Sequence, residues 1–185
     1  MNKLHVLLAA ALGLFALMAP AQDTNALKTD LGIFEAQTGT VIVKGFGLIG
    51  SMSVGTDVIT VRCKASADLS SGHKVYGLII EISGNRSPRD RIFVDYDEIE
   101  PLLGGINYLN KITYDVTPLP GFEATFTTKA GLRVAAYSAR RQGGIQTYLQ
   151  YGDDPRIMLA SDQMTQLYGL IEQGKTNLDS IRSAK

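Results

Sequence analysis

Residues 91–110 and 156–175 line up without a gap at an offset of 65. RIFVDYDEIEPLLGGINYLN faces RIMLASDQMTQLYGLIEQGK. Six of these 20 positions are identical: Arg91/Arg156, Ile92/Ile157, Asp97/Asp162, Leu102/Leu167, Gly104/Gly169 and Ile106/Ile171. Apolar character also agrees at Phe93/Met158, Val94/Leu159 and Ile99/Met164. An internal repeat constrains the fold more than any composition figure, because each copy must build the same supersecondary unit.

In both copies a short apolar strand runs into a helix. Ile99, Leu102, Leu103, Ile106 and Leu109 recur at helical spacing, and Met164, Leu167, Tyr168 and Ile171 repeat it. Each set predicts one buried helical face. Asp97 and Asp162 suit the first turns, and Ser161 is a candidate cap for the second helix. Pro101 is awkward unless the first helix is only just starting there. Gly104 and Gly169 fall mid-helix, where close approach of the backbone to a sheet or to the other helix would offset their cost.

Upstream of the first helix the sequence predicts strands near 40–48, 56–64, 74–83 and 90–94. Upstream of the second it predicts 121–129, 131–139, 145–151 and 156–159. Val75 to Ile82 is nearly all apolar, as in a central strand covered on both faces. Ser-Gly at 71–72, Ser-Gly-Asn at 83–85, Gly143-Gly144 and Asp153-Asp154-Pro155 supply turns. Pro118, Pro120 and Gly121 mark the joint between halves. The expected fold is α+β, two tandem ββββα units whose antiparallel sheets are each packed by one helix. The expected division is 1–21 as a leader, 22–37 as an N-terminal segment, 38–117 as the first unit and 118–185 as the second.

This order of elements, duplicated over roughly residues 38–182, resembles the Whirly and Pur-alpha single-stranded nucleic-acid-binding folds. The resemblance rests on element order and duplication. It implies sheets that hold single strands through basic and aromatic side chains.

The first 21 residues, MNKLHVLLAAALGLFALMAPA, read as a secretory signal peptide. Lys3 gives the positive start, Val6–Met18 an apolar run of 13 residues, and Ala19-Pro20-Ala21 the small residues before cleavage at Gln22. That run is short of the ~20 residues a membrane span needs. The expected location is the periplasm or the exterior of a bacterial cell, with no transmembrane segment after cleavage. With 18 Lys+Arg against 18 Asp+Glu, the chain is not a strongly basic nucleic-acid binder. One Cys excludes an internal disulfide framework and a multi-Cys metal site. Cys63 alternates with Ile59 and Val61 and is expected to be a buried small apolar residue.

The octapeptide Gly169-Leu170-Ile171-Glu172-Gln173-Gly174-Lys175-Thr176 spells the phosphate-binding loop pattern. That loop must lie between a strand and a helix start. Here it continues a helix and is expected to be that helix's C-terminal turn. His73 follows a Ser-Ser-Gly turn without a nucleophile signature. Asp95, Asp97, Glu98 and Glu100 read as helix-capping acids, since a calcium loop needs a Gly at its bend. Basic residues gather at Arg86/Arg89/Arg91 and Arg140/Arg141. In the strand at 145–151, Gln146, Tyr148 and Gln150 alternate outward, away from Ile145, Thr147, Leu149 and Tyr151. The candidate ligand face is therefore Arg133, Tyr137, Arg140, Arg141, Gln146, Tyr148 and Gln150, because aromatic and Arg side chains stack rings.

The expected function is a non-catalytic binding or structural role outside the cytoplasm, with no cofactor or metal. Its expected partner is a component of the envelope or the exterior, and exposed strand edges point to homo-oligomers. The alternatives are single-stranded nucleic-acid binding, and a hydrolase using His73 or the carboxylates, with Asp97 among them.

Overall fold

The computed structural model describes residues 28–84, 90–139 and 144–184. A short helix α1 (Asp30–Glu35) precedes β1 (Ile42–Val54), β2 (Asp57–Asp68), β3 (Lys74–Ser83), β4 (Asp90–Asp95) and α2 (Tyr96–Asn110). A 3-10 turn at Tyr114–Val116 leads to β5 (Glu123–Thr127), β6 (Leu132–Ala139), β7 (Gly144–Tyr151), β8 (Ile157–Leu159) and α3 (Ser161–Ser183). Each half is a four-stranded antiparallel meander, β1-β2-β3-β4 and β5-β6-β7-β8. The α+β class and the duplicated ββββα order are both present. The leader lies outside the described residues.

Local chemistry explains the first sheet. In β2, Ile59, Val61 and Cys63 alternate with Thr60, Arg62 and Lys64, so one side is apolar and the other polar. Gly55, at φ 60°, opens the two-residue turn between β1 and β2, the geometry a twisted hairpin needs. The β1–β2 register is regular from Ile42 to Leu48 and shifts between Leu48 and Gly50. Just past that bulge Gly50 meets Leu170 of α3.

The helices do not stay with their own sheets. The apolar stripe of α3, Met164, Leu167, Ile171 and Leu178, packs chiefly on β1, β2 and β3 of the first sheet. Helix α2 packs between β3 and β4 on one side and β5 and β6 on the other. Chain geometry gives the reason. A 23-residue helix needs a long apolar floor, and β1 and β2 run 13 and 12 residues while β5 and β8 run 5 and 3. The two halves therefore share one core, with Ile80, Leu102, Val134 and Ile171 all fully buried in it.

Several local expectations are corrected. The N-cap of α3 is Ala160 rather than Ser161, whose hydroxyl donates to Asn110 Oδ1 instead. At both repeated helix starts the third residue reaches back: Glu98 Oε2 accepts from Asp95 N at 3.3 Å, and Gln163 Oε1 accepts from Ala160 N at 2.9 Å. Pro101 is not at the helix start but inside α2, where its missing N–H leaves the Asp97 backbone carbonyl without its usual helical donor. The segment Gly169–Thr176 lies within α3, which runs on to Ser183, so it is mid-helix and not a terminal turn.

Gly104 and Gly169 mark no close approach. Both are exposed, and a Cβ at either would meet open space. The tight contacts fall at Gly105, against the Phe126 ring, and at Gly174, against Leu78. Gly104→Ala and Gly169→Ala should each raise the unfolding free energy by about 1 kcal/mol in urea titration. Gly105→Ala should lower it by about 1–2 kcal/mol, because its Cβ would lie 2.7 Å from Phe126 Cδ2. A gain in stability at Gly105 would refute this assignment of the contacts.

Candidate functional site

The second sheet brings the expected residues together. Arg133 faces Gln150 and Tyr137 faces Gln146 across β6 and β7, with Tyr148 between them opposite Ala135. All five share the outer face. They are engaged with one another: Arg133 Nη1 donates to Gln150 Oε1 at 3.1 Å, and Gln150 Nε2 donates to the Asp154 carbonyl at 2.8 Å. Tyr148 is not the exposed stacking ring that alternation predicts. It is fully buried, its hydroxyl donates to Glu123 Oε1 at 2.7 Å, and the Arg156 guanidinium lies 4.3 Å over its ring. Burial, followed by the Glu123 contact, pushes the Tyr148 hydroxyl pKa up. Tyr137 stands beside it, with ring centroids 6.0 Å apart. Arg140 and Arg141 lie outside the described residues, as do Arg86 and Arg89.

The first sheet carries a second face that sequence reasoning missed. Phe46 of β1 is directly opposite Lys64 of β2. Lys64 Nζ sits 4.9 Å from the Phe46 ring centroid and 4.3 Å from that of Phe93 on β4. It also meets Glu35 Oε1 at 2.7 Å, while Lys44 Nζ meets Glu35 Oε2 at 2.9 Å. Farther along the face, Arg62 Nε and Arg91 Nε both donate to Glu81, at 3.1 and 3.0 Å. Four cations thus share two carboxylates. Phe46, Arg62, Ile79, Glu81 and Arg91 line a recess of about 270 Å³. The signal lay in the polar alternate positions of β2, Thr60, Arg62, Lys64 and Ser66. Their aromatic partners come from other strands, which alternation cannot show.

Position and charge tune these groups. Burial acts against ionising Glu35, but Lys64, Ser66 and Lys44 outweigh it and hold the carboxyl below its ordinary pKa. Burial pulls the Lys64 pKa down, with Glu35 opposing in part. The aligned Arg91 and Arg156 both project onto outer faces, Arg91 onto Glu81 and Arg156 over Tyr148.

The remaining candidates have structural partners. The His73 ring packs edge-on to Phe34 at 5.4 Å. Asp30, Asp95 and Asp97 converge, and the Lys129 ammonium lies 3.8, 3.1 and 3.1 Å from them. Lys175 of the phosphate-loop pattern pairs with Asp179 and Glu100, and Thr176 Oγ1 donates to the Glu172 carbonyl. Cys63 is buried, donates to the Gly174 carbonyl and has its pKa pushed up to about 11 by burial. Among the described residues no helix is long and apolar enough to cross a membrane. Compared with protein-family models, curated proteins and solved structures, the chain gives no match.

Proposed function

We propose that the protein is an exported, non-catalytic binding protein of the bacterial periplasm or cell exterior. Its ligand is an anionic polysaccharide laid across the outer face of the first sheet. One observation carries this: Phe46, 57% exposed, stands beside four cations that share two carboxylates around an open recess. An exposed aromatic ring stacks on the apolar face of a sugar, and guanidinium groups pair with its carboxylates. Arg91 gives its Nε–H to Glu81, and its fork has further N–H donors to offer.

Two further features agree with a non-catalytic role. The Cys63 thiol is buried and protonated at neutral pH, and His73 is packed on a phenyl ring. The export leg rests on residues 1–21 and is checked by the intact mass of the native protein, which should begin at Gln22. The binding leg is checked by fluorescence anisotropy with a labelled oligogalacturonate, and with a short oligothymidylate in parallel. The oligogalacturonate should bind, and Phe46→Ala or Arg91→Ala should each weaken it about tenfold. Unchanged affinity in both variants, or a preference for the oligothymidylate, would overturn this ligand assignment.

A further inference from the structure

Strand β1 is an edge of its sheet, and its residues 43–48 are all exposed. Val43, Phe46 and Leu48 stand 48%, 57% and 61% accessible. Proteins protect long edges with charges, prolines or bulges. Between Val41 and Val54 the one charged residue is Lys44, and Glu35 already pairs with it. The bulge comes only after Leu48. Among the described residues, the regular segment Ile42–Leu48 is therefore an unprotected template for another strand.

We infer that this edge pairs with β1 of a second copy of the chain, antiparallel about a two-fold axis at Gly45. Four features select that occupant and register. The regular stretch Ile42–Leu48 is centred on Gly45, so a two-fold there uses all of it. On the outer face Lys44 then lies opposite Phe46 of the second copy, and Phe46 opposite Lys44 of that copy, two cation–aromatic pairs with no like charges opposed. Ile42 lies opposite Leu48 in the same reciprocal way. On the other face Val43 lies opposite Gly47, which leaves room for the valine. An unrelated strand has no reason to carry this inverted order, whereas a second copy carries it by symmetry.

The dimer makes one continuous eight-stranded sheet from the two first sheets. It sets the two Phe46–Arg91 recesses on one surface, so a polymer could engage both at once. The pairing does not depend on the ligand and goes beyond the function proposed above.

The test is light scattering behind size-exclusion chromatography, together with oxidation of full-chain variants that each carry one cysteine added in a Cys63→Ala background. The wild type should be a dimer at micromolar concentration. Leu48→Lys, which is outside the ligand recess, should raise the dimer dissociation constant by roughly tenfold or more by charging an apolar pair. Gly45→Cys fits sterically, since a Cβ there makes only an ordinary 3.6 Å contact with the Ala65 carbonyl. Gly45→Cys should form a homodisulfide on mild oxidation, because the axis places residue 45 opposite itself. Ser51→Cys on the same strand should not. A monomer, a dimer indifferent to Leu48→Lys, or a failure of Gly45→Cys to cross-link would each overturn the inference. Oligogalacturonate binding by the Leu48→Lys monomer separates this failure from failure of the ligand assignment.

Discussion

Asp95→Ala should cost about 3–4 kcal/mol of unfolding free energy, among the largest single-residue losses in the chain. The carboxylate is 3% exposed and serves three separate donors. Its oxygens accept from Asp30 N at 2.8 Å, Leu31 N at 3.0 Å and Lys129 Nζ at 3.1 Å. The first two are orphan amides at the start of α1, a helix of six residues that is too short to persist alone. Thr29 Oγ1 supplies the remaining cap by accepting from Gly32 N. Leu31, fully buried, then fits over Gly77, where a Cβ would run into the Val94 carbonyl and the Leu31 side chain.

Removing the Asp95 carboxylate therefore leaves buried amides unpaired and detaches α1 from the first sheet. Asp95→Asn keeps an acceptor while losing the charge, and should cost about half as much. Urea titration measures the total, and amide exchange at Leu31 and Gly32 should accelerate before that of α3. A loss below roughly 0.5 kcal/mol for Asp95→Ala would show that α1 holds its place without this anchor.

The same region shows what a linear sequence conceals. The duplication, the eight strands and both long helices were legible, because alternation and helical spacing are local patterns. Helix α1 was not, because its order comes from Asp95, distant in sequence and supplied by the start of another helix. The exchange of α3 onto the first sheet was equally hidden. A stripe such as Met164, Leu167 and Ile171 says that a face is buried but not what covers it. Tyr148 alternates outward as expected and is nonetheless buried, because Glu123 of β5 and Arg156, just ahead of β8, close over it. The mid-helix glycines misled for a related reason. Gly104 and Gly169 match in the repeat, yet Gly105 and Gly174 touch neighbours, because the two helices meet different surroundings.

The Glu35–Lys64 pair joins the fold to the proposed binding face, and its loss is the second large expected effect. The side chains are 8% and 4% exposed, and they meet at 2.7 Å. Glu35→Ala leaves Lys64 buried beside Phe46 and Phe93 with no carboxylate, and should cost about 3–5 kcal/mol. Lys64→Met in the same chain removes the stranded charge and should recover at least half of that loss, since a methionine packs well between two phenyl rings. A double variant no more stable than Glu35→Ala would sink this account of Lys64.

The pH dependence follows in sign. The folded pKa of Glu35 is below its ordinary value of 4.5. Its contribution is therefore complete above that value and is lost as pH falls through the folded pKa. Asp68, whose pKa is lowered by hydrogen bonds from Thr40, Ser70 and Ser71, acts on the same acid limb. The Glu35→Gln variant should thus lose less of its remaining stability between pH 5 and pH 2 than the wild type does. Lys64 gives the opposite limb. Its folded pKa is depressed by burial and falls further without Glu35, so the unfolded chain binds more protons and stability rises with pH. The deficit of Glu35→Ala should accordingly narrow as the solution is made alkaline. A deficit independent of pH would mean that lost packing, not the unpaired ammonium, sets the cost.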